Sequence, residues 1–388
     1  MEYSYFFMWC IYINKEENKL KKICLITLQG SKNYGSVLQA YSTQEYLKLL
    51  DFEVVVLNYY RPDQLSSNIL NTFTRNSSYG VKIIKKIVLF PNIRLWKKTF
   101  TEFNQSHLHL TSKIFSLGTD FEEGIPDADF YCVGSDQVWN STWNQGFVPE
   151  LYLSFVPDEK KKISLSSSFG KTELGNLEGK KVSSLLNRFN SISVREKTAL
   201  KMLEDLEISG MDIAHTLDPT LMFTKEYWSN FANKRKNSKD YILIYQLNPN
   251  AKFDSYAKKY AKENKLTLIR ICTRFDKIFK NGKSVLLPEI QEFISLIIHA
   301  KVIITDSFHG TAFAINCNIP FISIYPPNFP TRIENLLEKT NFLSRRLSSY
   351  DQQIEFENID FTYSNEVLNS ERNHTKDFIL KSFVINDE

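Results

Sequence analysis

A histidine between a serine and a glycine stands out in the segment KVIITDSFHGTAFAINC, where His309 lies close to Ser307 and Gly310. The run KVIIT predicts a short buried parallel strand, and the small residues after Gly310 favour a helix packed closely on a sheet. A histidine at this place can exchange protons near neutral pH. The first backbone N–H groups of the predicted helix are unpaired and favour an anion beside it. The same pattern is compatible with a His309 that only caps the helix or fills a turn.

A second polar cluster follows DFYCVG, a run that predicts a buried strand ending near Gly134. An indole face with amide and carboxylate neighbours suits a sugar, whose CH face stacks while its hydroxyl groups form hydrogen bonds. Alternatively, Asp136 caps a turn and Trp139 anchors the core. The residues of this cluster are Ser135, Asp136, Gln137, Trp139 and Asn140.

The first βαβ unit is predicted from the strand KKICLITLQG, a loop and helix starting at SKNYGSVLQAY, and the strand EVVVLNYY. Asn33, Tyr34, Gly35 and Ser36 then lie at the carboxyl end of the first strand, where open α/β sheets bind ligands. Asn33 or Ser36 could also cap the helix. No GxGxxG is present, so the sequence does not indicate a dinucleotide site.

Two charged residues follow later strands. Arg195 comes directly after the short strand ISV, and its forked guanidinium suits a carboxylate or a phosphate, although it could equally pair with a surface glutamate. Asp218 precedes Pro219 in the segment AHTLDPTLMF and is expected to cap a turn. The alternation of strands and helices predicts an α/β fold.

The 388 residues, with 43% hydrophobic and 14% aromatic content, predict a folded, soluble protein of two α/β domains. A net charge of +4 is too small to indicate nucleic-acid binding. The five cysteines are odd in number and widely spaced, which is typical of buried thiols in a reducing compartment. His107 and His109 lack further ligand types, so no metal site is predicted.

The predicted division is an N-terminal arm (1–20), two Rossmann-like domains (21–232 and 240–343) and a helical tail (344–388).

Two segments bear on membranes. The apolar N-terminus is too short and interrupted for a transmembrane helix, and it lacks the basic region of a signal peptide. Met8 could be the natural start, or the segment could be a membrane-touching or disordered arm. Between Arg75 and Phe100, seven basic residues alternate with large apolar ones and no acidic residue occurs. This pattern suits an anionic membrane surface, or an ordinary helix pair with a solvated basic face.

The chain resembles the polysaccharide pyruvyl transferase family over about residues 23–340. Five motifs carry the resemblance, in the order NYGSVLQAY, VGSDQVWN, SVREKTA, LDPT and TDSFHGTAFAI. The resemblance implies a GT-B-like fold, with two Rossmann-like domains and parallel sheets facing across a cleft. It also implies transfer of pyruvate from phosphoenolpyruvate onto two hydroxyls of a sugar, with release of phosphate. No metal or other cofactor is implied.

The resemblance assigns roles to particular residues. His309 matches the family's essential histidine, Arg195 matches the arginine that binds phosphoenolpyruvate, and some relatives have a basic residue where this chain has Ser307. The predicted site has the catalytic residues His309 and Asp136, the donor-binding residues Arg195, Ser307, Phe308, Gly310 and Thr311, and the acceptor-binding residues Asn33, Tyr34, Gly35, Gln39, Gln137, Trp139 and Asn140.

Two other functions remain compatible with the sequence. A GT-B glycosyltransferase would bind the diphosphate of a nucleotide sugar at the helix after His309, and a non-catalytic sugar-binding or scaffold protein would need only the region of Trp139. The expected partners are phosphoenolpyruvate, an acceptor on a polyprenyl diphosphate in a capsular or exopolysaccharide repeat unit, and an anionic membrane surface, without nucleic acid. The expected location is the bacterial cytoplasm, peripheral to the inner face of the membrane.

Overall fold

The computed structural model describes residues 20–65, 78, 90–117, 121, 123–234, 240–328 and 330–384. The strands are β1 (Lys22–Ile26), β2 (Glu53–Tyr59), β3 (Leu110–Phe115), β4 (Phe130–Val133), β5 (Lys161–Ser167), β6 (Ser191–Val194), β7 (Asp212–His215), β8 (Tyr241–Tyr245), β9 (Thr267–Cys272), β10 (Lys283–Leu286), β11 (Val302–Thr305) and β12 (Phe321–Ser323). The helices are α1 (Tyr34–Leu49), α2 (Glu102–His107), α3 (Asn176–Leu186), α4 (Lys197–Asp205), α5 (Pro219–Met222), α6 (Lys225–Phe231), α7 (Ala251–Glu263), α8 (Ile290–Ile298), α9 (Phe308–Asn316), α10 (Thr331–Lys339) and α11 (Thr362–Ser382).

Within the described residues the strands form two parallel sheets, one in each predicted domain. The first has seven strands in the order β3-β2-β1-β4-β5-β6-β7, and the second has five in the order β10-β9-β8-β11-β12. The central strands β4 and β11 are buried along their whole length, as expected for parallel strands covered on both faces. Successive side chains of a strand point to opposite sides of the sheet, so they enter different apolar clusters. Ile23 and Leu25 of β1 join one apolar cluster, whereas Cys24 and Ile26 join another. The predicted α/β class is therefore confirmed.

An apolar core joins the two halves of the molecule. Tyr34, at the start of α1, stacks on Phe293 of α8 with ring centroids 4.1 Å apart, and its hydroxyl donates to the Pro288 carbonyl oxygen at 2.7 Å. α11 runs back to the first sheet, where Phe378 and Phe383 pack in the same cluster as β1 and β2. The carboxyl ends of the two sets of strands are thereby held on either side of one cleft.

The described part of the basic segment packs in this core. A helical turn over 90–96 leads into a π-helix at Lys97–Thr101 and then into α2. Trp96 Nε1 donates to the Thr273 carbonyl oxygen at 2.9 Å, and the Phe100 ring meets Tyr34 edge-on at 5.0 Å. These two apolar residues are therefore unavailable to a membrane in this conformation. Residues 79–89 and 75–77 lie outside the described part of the chain.

No helix among the described residues is both long and apolar enough to cross a lipid bilayer. The four described cysteines, Cys24, Cys132, Cys272 and Cys317, are buried and unpaired.

Candidate functional site

The main cavity of the cleft has a volume of about 430 Å³ and collects residues that follow the strands of both sheets. Asn33 and Ser36 follow β1, Asp136 follows β4, and Ser307 and His309 follow β11. Polar residues that follow three different strands therefore meet at one cavity. The cause is the parallel arrangement, which places all carboxyl ends at the same edge of a sheet.

His309 lies in the first turn of α9, and hydrogen bonds fix this turn to the sheet. Ser307 is the N-cap of α9, and its hydroxyl accepts from the Gly310 N–H at 3.3 Å. The Ser307 N–H donates to Thr305 Oγ1 at 3.0 Å, and that hydroxyl donates to the Tyr245 carbonyl oxygen at 2.7 Å. The buried imidazole is therefore held on a rigid turn rather than on a mobile loop.

The imidazole of His309 rests against Gly35 of α1, which belongs to the other half of the molecule. A Cβ atom added at Gly35 would lie 2.0 Å from Nδ1 and 2.3 Å from Cγ of His309. Asn33 caps α1 by accepting from the Gly35 N–H at 2.8 Å, and it also lines the cavity. Capping and a position at the site therefore coexist at Asn33, and Gly35 serves the site by lacking a side chain.

We expect Gly35→Ala to displace the imidazole of His309 and to lower turnover about tenfold, because a misplacement of 1 Å costs up to about 10²-fold. Steady-state kinetics and thermal unfolding of the purified variant measure the two effects. Gly175→Ala is the matched control, since an added Cβ there meets nothing within 4 Å and the backbone φ is −66°. Equal activity of the two variants would contradict a role for the contact between Gly35 and His309.

A buried ionic network lies beside the imidazole. Arg195 Nη1 donates to Asp218 Oδ2 at 2.5 Å, and the same carboxylate oxygen lies 3.5 Å from His309 Nε2. Asp218 Oδ1 accepts hydrogen bonds from the N–H and the hydroxyl of Thr220. Asp218 is therefore also the N-cap of α5, as predicted. The network therefore links Arg195 to His309 through one carboxylate.

Asp136 provides a second carboxylate on the cavity wall. It has a φ of 72°, in the left-handed region, and thereby turns the chain sharply after β4. Ser36 Oγ donates to its Oδ2 at 2.5 Å. Its Oδ1 lies 3.6 Å from Arg195 Nη2 and 3.8 Å from Arg332 Nη1. Asp136 thus contacts both the βαβ unit at β1 and the two arginines.

The charges of these groups stabilise one another. Burial alone would raise the pKa of Asp218, but the positive charges of His309 and Arg195 outweigh it and hold that pKa far below its usual range. Burial also opposes ionisation of Asp136, yet the charge of Arg195, followed by that of His309, keeps its pKa lowered. Burial, and then repulsion from Arg195, lowers the pKa of Arg332 to about 10. Both carboxylates and both guanidinium groups are therefore charged at neutral pH.

The two arginines also share an aromatic ring. The guanidinium carbon of Arg195 lies 4.7 Å from the centroid of Phe308, and that of Arg332 lies 5.8 Å from it. Arg332 comes from α10 and lines the main cavity, although the sequence analysis did not assign it to the site. Its signal was only a basic residue in the first turn of a helix, which is too common to indicate a site.

Several donors of this cluster remain available for an anion. Arg195 Nε and Nη2, Arg332 Nε and His309 Nε2 are buried and form no hydrogen bond within the described part of the protein. Arg195 does not line the main cavity. It lies behind Phe308 in a small pocket of about 30 Å³, which Phe308, Arg332 and Asp218 also line.

The predicted acceptor residues divide into two groups. Asn33 and Gln137 line the cavity. Trp139 instead lies in the core, with Nε1 donating to the Leu151 carbonyl oxygen at 2.9 Å and its ring stacked on Tyr152. The core-anchor alternative therefore describes Trp139 in this structure. The indole that lines the cavity belongs to Trp143, which is 43% exposed.

Other predicted site residues make structural contacts. Tyr34 joins the two halves as described above. Gln39 Nε2 donates to Thr27 Oγ1 and to the Ser36 carbonyl oxygen, both at 2.9 Å, and Asn140 Nδ2 donates to Gln137 Oε1 at 2.7 Å. Thr311 shares a 3.0 Å hydrogen bond with Ser323, and Gly310 packs against Thr305. These residues support the cavity wall, and their predicted contacts with a substrate stay predictions.

Solved structures share this architecture. Arabidopsis thaliana UGT89C1 superposes with a TM-score of 0.51 and 10% identity, covering 94% of this chain and 100% of that one. The S. aureus MnaA–UDP co-structure has a TM-score of 0.49 and 11% identity, and the match covers 91% of this chain and 88% of that one. UDP-N-acetylglucosamine 2-epimerase from Rickettsia bellii has a TM-score of 0.46 and 11% identity, and the match covers 93% of this chain and 96% of that one. At 10% identity the match to UGT89C1 shows the fold alone, and the predicted GT-B-like fold is confirmed. No curated protein matches the chain.

The family model described as polysaccharide pyruvyl transferase matches residues 33–328. The match includes each strand-end segment of the cavity, from Asn33 through Asp136 and Arg195 to His309, and it ends before Arg332. It covers most of the chain and includes all five sequence motifs. This chain belongs to the polysaccharide pyruvyl transferase family.

Proposed function

We propose that the protein is a ketal pyruvyltransferase that moves pyruvate from phosphoenolpyruvate onto two hydroxyls of a sugar and releases phosphate. The observation that supports this most is the set of buried donors without hydrogen-bond partners on His309, Arg195 and Arg332. Asp136 and Asp218 offset part of the positive charge of these side chains, but a buried donor that forms no hydrogen bond is costly, so these donors favour a bound anion at this place. Phosphoenolpyruvate offers both a carboxylate and a phosphate.

The cavity suggests how the donor is held. Arg332 and His309 line it directly. The N-caps of α1 and α9, Asn33 and Ser307, line it too, so two helix N-termini, which favour an anion, lie at its wall. We assign Arg332 as the second arginine of the donor site, because Ser307 is occupied as a helix cap. Arg195 acts from behind Phe308, either through Nη2 or by holding Asp218 against His309.

The chemistry follows from these positions. His309 donates a proton to the methylene carbon of the enol, and the adjacent carbon gains oxocarbenium character that a sugar hydroxyl attacks. The hydroxyl proton returns to the neutral imidazole. Phosphate then leaves with the electrons of its C–O bond, which regenerates a cationic centre. Attack by the second hydroxyl closes the ketal, and the proton of that hydroxyl passes to the released phosphate. The positive charge of Arg195 lowers the pKa of Asp136, which makes its carboxylate a weak base, so we assign it the role of stabilising positive charge.

The acceptor is proposed to lie along Trp143, Gln137 and Asn33, with its hydroxyls directed toward His309. An aromatic face beside amide groups suits a sugar ring. We include in this proposal a surface-polysaccharide repeat unit on a polyprenyl diphosphate, modified at the cytoplasmic face of a bacterial membrane. Its support is the family membership and the basic pattern from Arg75 onward.

The two tryptophans of this loop should respond differently to truncation. Trp143→Ala is expected to raise the acceptor KM about two- to tenfold with little change in stability, since stacking contributes about 0.5–1.5 kcal/mol. Trp139→Ala should instead lower the free energy of unfolding by about 3–5 kcal/mol, because it empties a buried site. Denaturant unfolding and acceptor titrations measure both variants. A selective loss of acceptor use in Trp139→Ala with unchanged stability would reverse the assignment.

The proposed activity is tested by incubating the purified protein with phosphoenolpyruvate and synthetic or lipid-linked galactosides. Phosphate release that depends on the acceptor, together with a pyruvate ketal on the sugar by mass spectrometry, is the expected result. Nucleotide-sugar binding without any phosphate release would favour a GT-B glycosyltransferase instead.

A further inference from the structure

A second pocket of about 280 Å³ adjoins the main cavity and shares Asn33 and Trp143 with it. We call it the Lys32 pocket. Its wall carries the cations Lys32, Arg61 and Arg274, which follow the carboxyl ends of β1, β2 and β9 respectively. Three strand ends from both sheets thus direct positive charge to one place beside the site.

Lys32 is half-buried without a carboxylate partner among the described residues. Its ammonium lies 5.8 Å from the centroid of the Tyr60 ring, and burial lowers its pKa to about 8. Burying an ammonium without a counter-ion is unfavourable, so an anion bound nearby would stabilise its charged form.

Arg61 is fixed in the wall rather than free to move. Its Nε and Nη2 donate to Asp63 at 3.1 and 3.0 Å, and its Nη1 donates to the Trp143 carbonyl oxygen at 2.6 Å. Its guanidinium carbon also lies 5.4 Å from the centroid of the Trp143 indole. Asp63 is the one carboxylate among the described residues that line the pocket, and it pairs with Arg61, so it does not offset the charge of Lys32.

We propose that the Lys32 pocket binds a phosphate or diphosphate group carried by the acceptor sugar, an inference that rests on the proposed function for the identity of the acceptor. Trp143 forms the common wall. When the sugar ring packs along this indole with its reacting hydroxyls near His309, the opposite side of the ring lies near Lys32 and Arg274. A phosphate group on that side would enter the Lys32 pocket. The pocket thereby selects sugars esterified with phosphate over neutral glycosides.

The first experiment measures binding and needs no turnover. Calorimetric titration with pyrophosphate compares the wild-type protein with Lys32→Gln and Arg274→Gln, with Arg332→Gln as a variant of the main cavity and Lys201→Gln as an exposed control on α4. Loss of one charged contact should weaken pyrophosphate binding about 10- to 100-fold in the first two variants, and not in the control. Weakening by Arg332→Gln alone would place the anion in the main cavity and overturn the proposal.

The second experiment distinguishes an acceptor-borne phosphate from free phosphate. Acceptor KM values are measured for a sugar diphosphate and for the methyl glycoside of the same sugar. Lys32→Gln should change the ratio of these KM values about tenfold. An unchanged ratio, with inorganic phosphate binding as tightly as pyrophosphate, would show a site for released phosphate and reject the acceptor assignment. Absence of turnover with every acceptor would instead contradict the proposed function, while the titration still decides whether the pocket binds diphosphate.

Discussion

Replacing His309 by alanine is expected to lower turnover by about 10²–10⁴-fold, the usual contribution of a positioned proton donor. The imidazole lies on a fixed turn, 3.5 Å from the Asp218 carboxylate and against Gly35. Among the other titratable side chains here, Asp136 and the arginines stay charged, and Asp306, whose pKa burial raises, is engaged by hydrogen bonds from the N–H groups of Leu247 and Asn248. Pre-steady-state phosphate release, measured with saturating donor and acceptor, reports the chemical step.

The control for this variant is His374→Ala, which removes an exposed histidine of α11 far along the chain from the site. Circular dichroism and thermal unfolding establish that His309→Ala retains its fold. A folded His309→Ala variant with near wild-type turnover would show that the histidine is not the proton donor. The imidazole would then have only a structural role, in the packing of α9 against Gly35.

Arg195→Lys should raise the donor KM or lower turnover by about 10- to 100-fold, as expected when a charged hydrogen bond of about 1.5–3 kcal/mol is lost. Lysine keeps the charge, but it cannot contact Asp218, approach Asp136 and lie over Phe308 at the same time. Steady-state kinetics with phosphoenolpyruvate as the varied substrate measures the effect.

Arg332→Lys is the informative companion, because Arg332 lines the main cavity and Arg195 does not. If Arg332 touches the donor, its replacement should act mainly on the donor KM. If Arg195 acts through Asp218 on His309, its replacement should act mainly on kcat and on the pH profile. Normal use of phosphoenolpyruvate by Arg195→Lys would reduce Arg195 to a buried structural charge.

Local patterns in the sequence were enough to predict the strands that build the site. DFYCVG and KVIIT are continuous apolar runs because strands of a parallel sheet are buried on both faces. The polar residues after them, such as Asp136 and His309, therefore had to lie at the carboxyl edge. The caps formed by Asn33, Ser307 and Asp218 are also local features, since each side chain binds a backbone N–H only two or three residues away.

The tertiary structure alone decided which of these residues meet, because such contacts join positions far apart in the chain. The imidazole of His309 needs the missing side chain of Gly35, and no spacing within either segment specifies that contact. Arg332 reaches the cavity from a helix outside the motifs. Trp139 and Trp143 stand in one loop, yet the turn beginning at Asp136 directs the first into the core and the second to the cavity. Residue type predicted which polar groups follow the strands, whereas packing between the two sheets decided which of their side chains line the cavity.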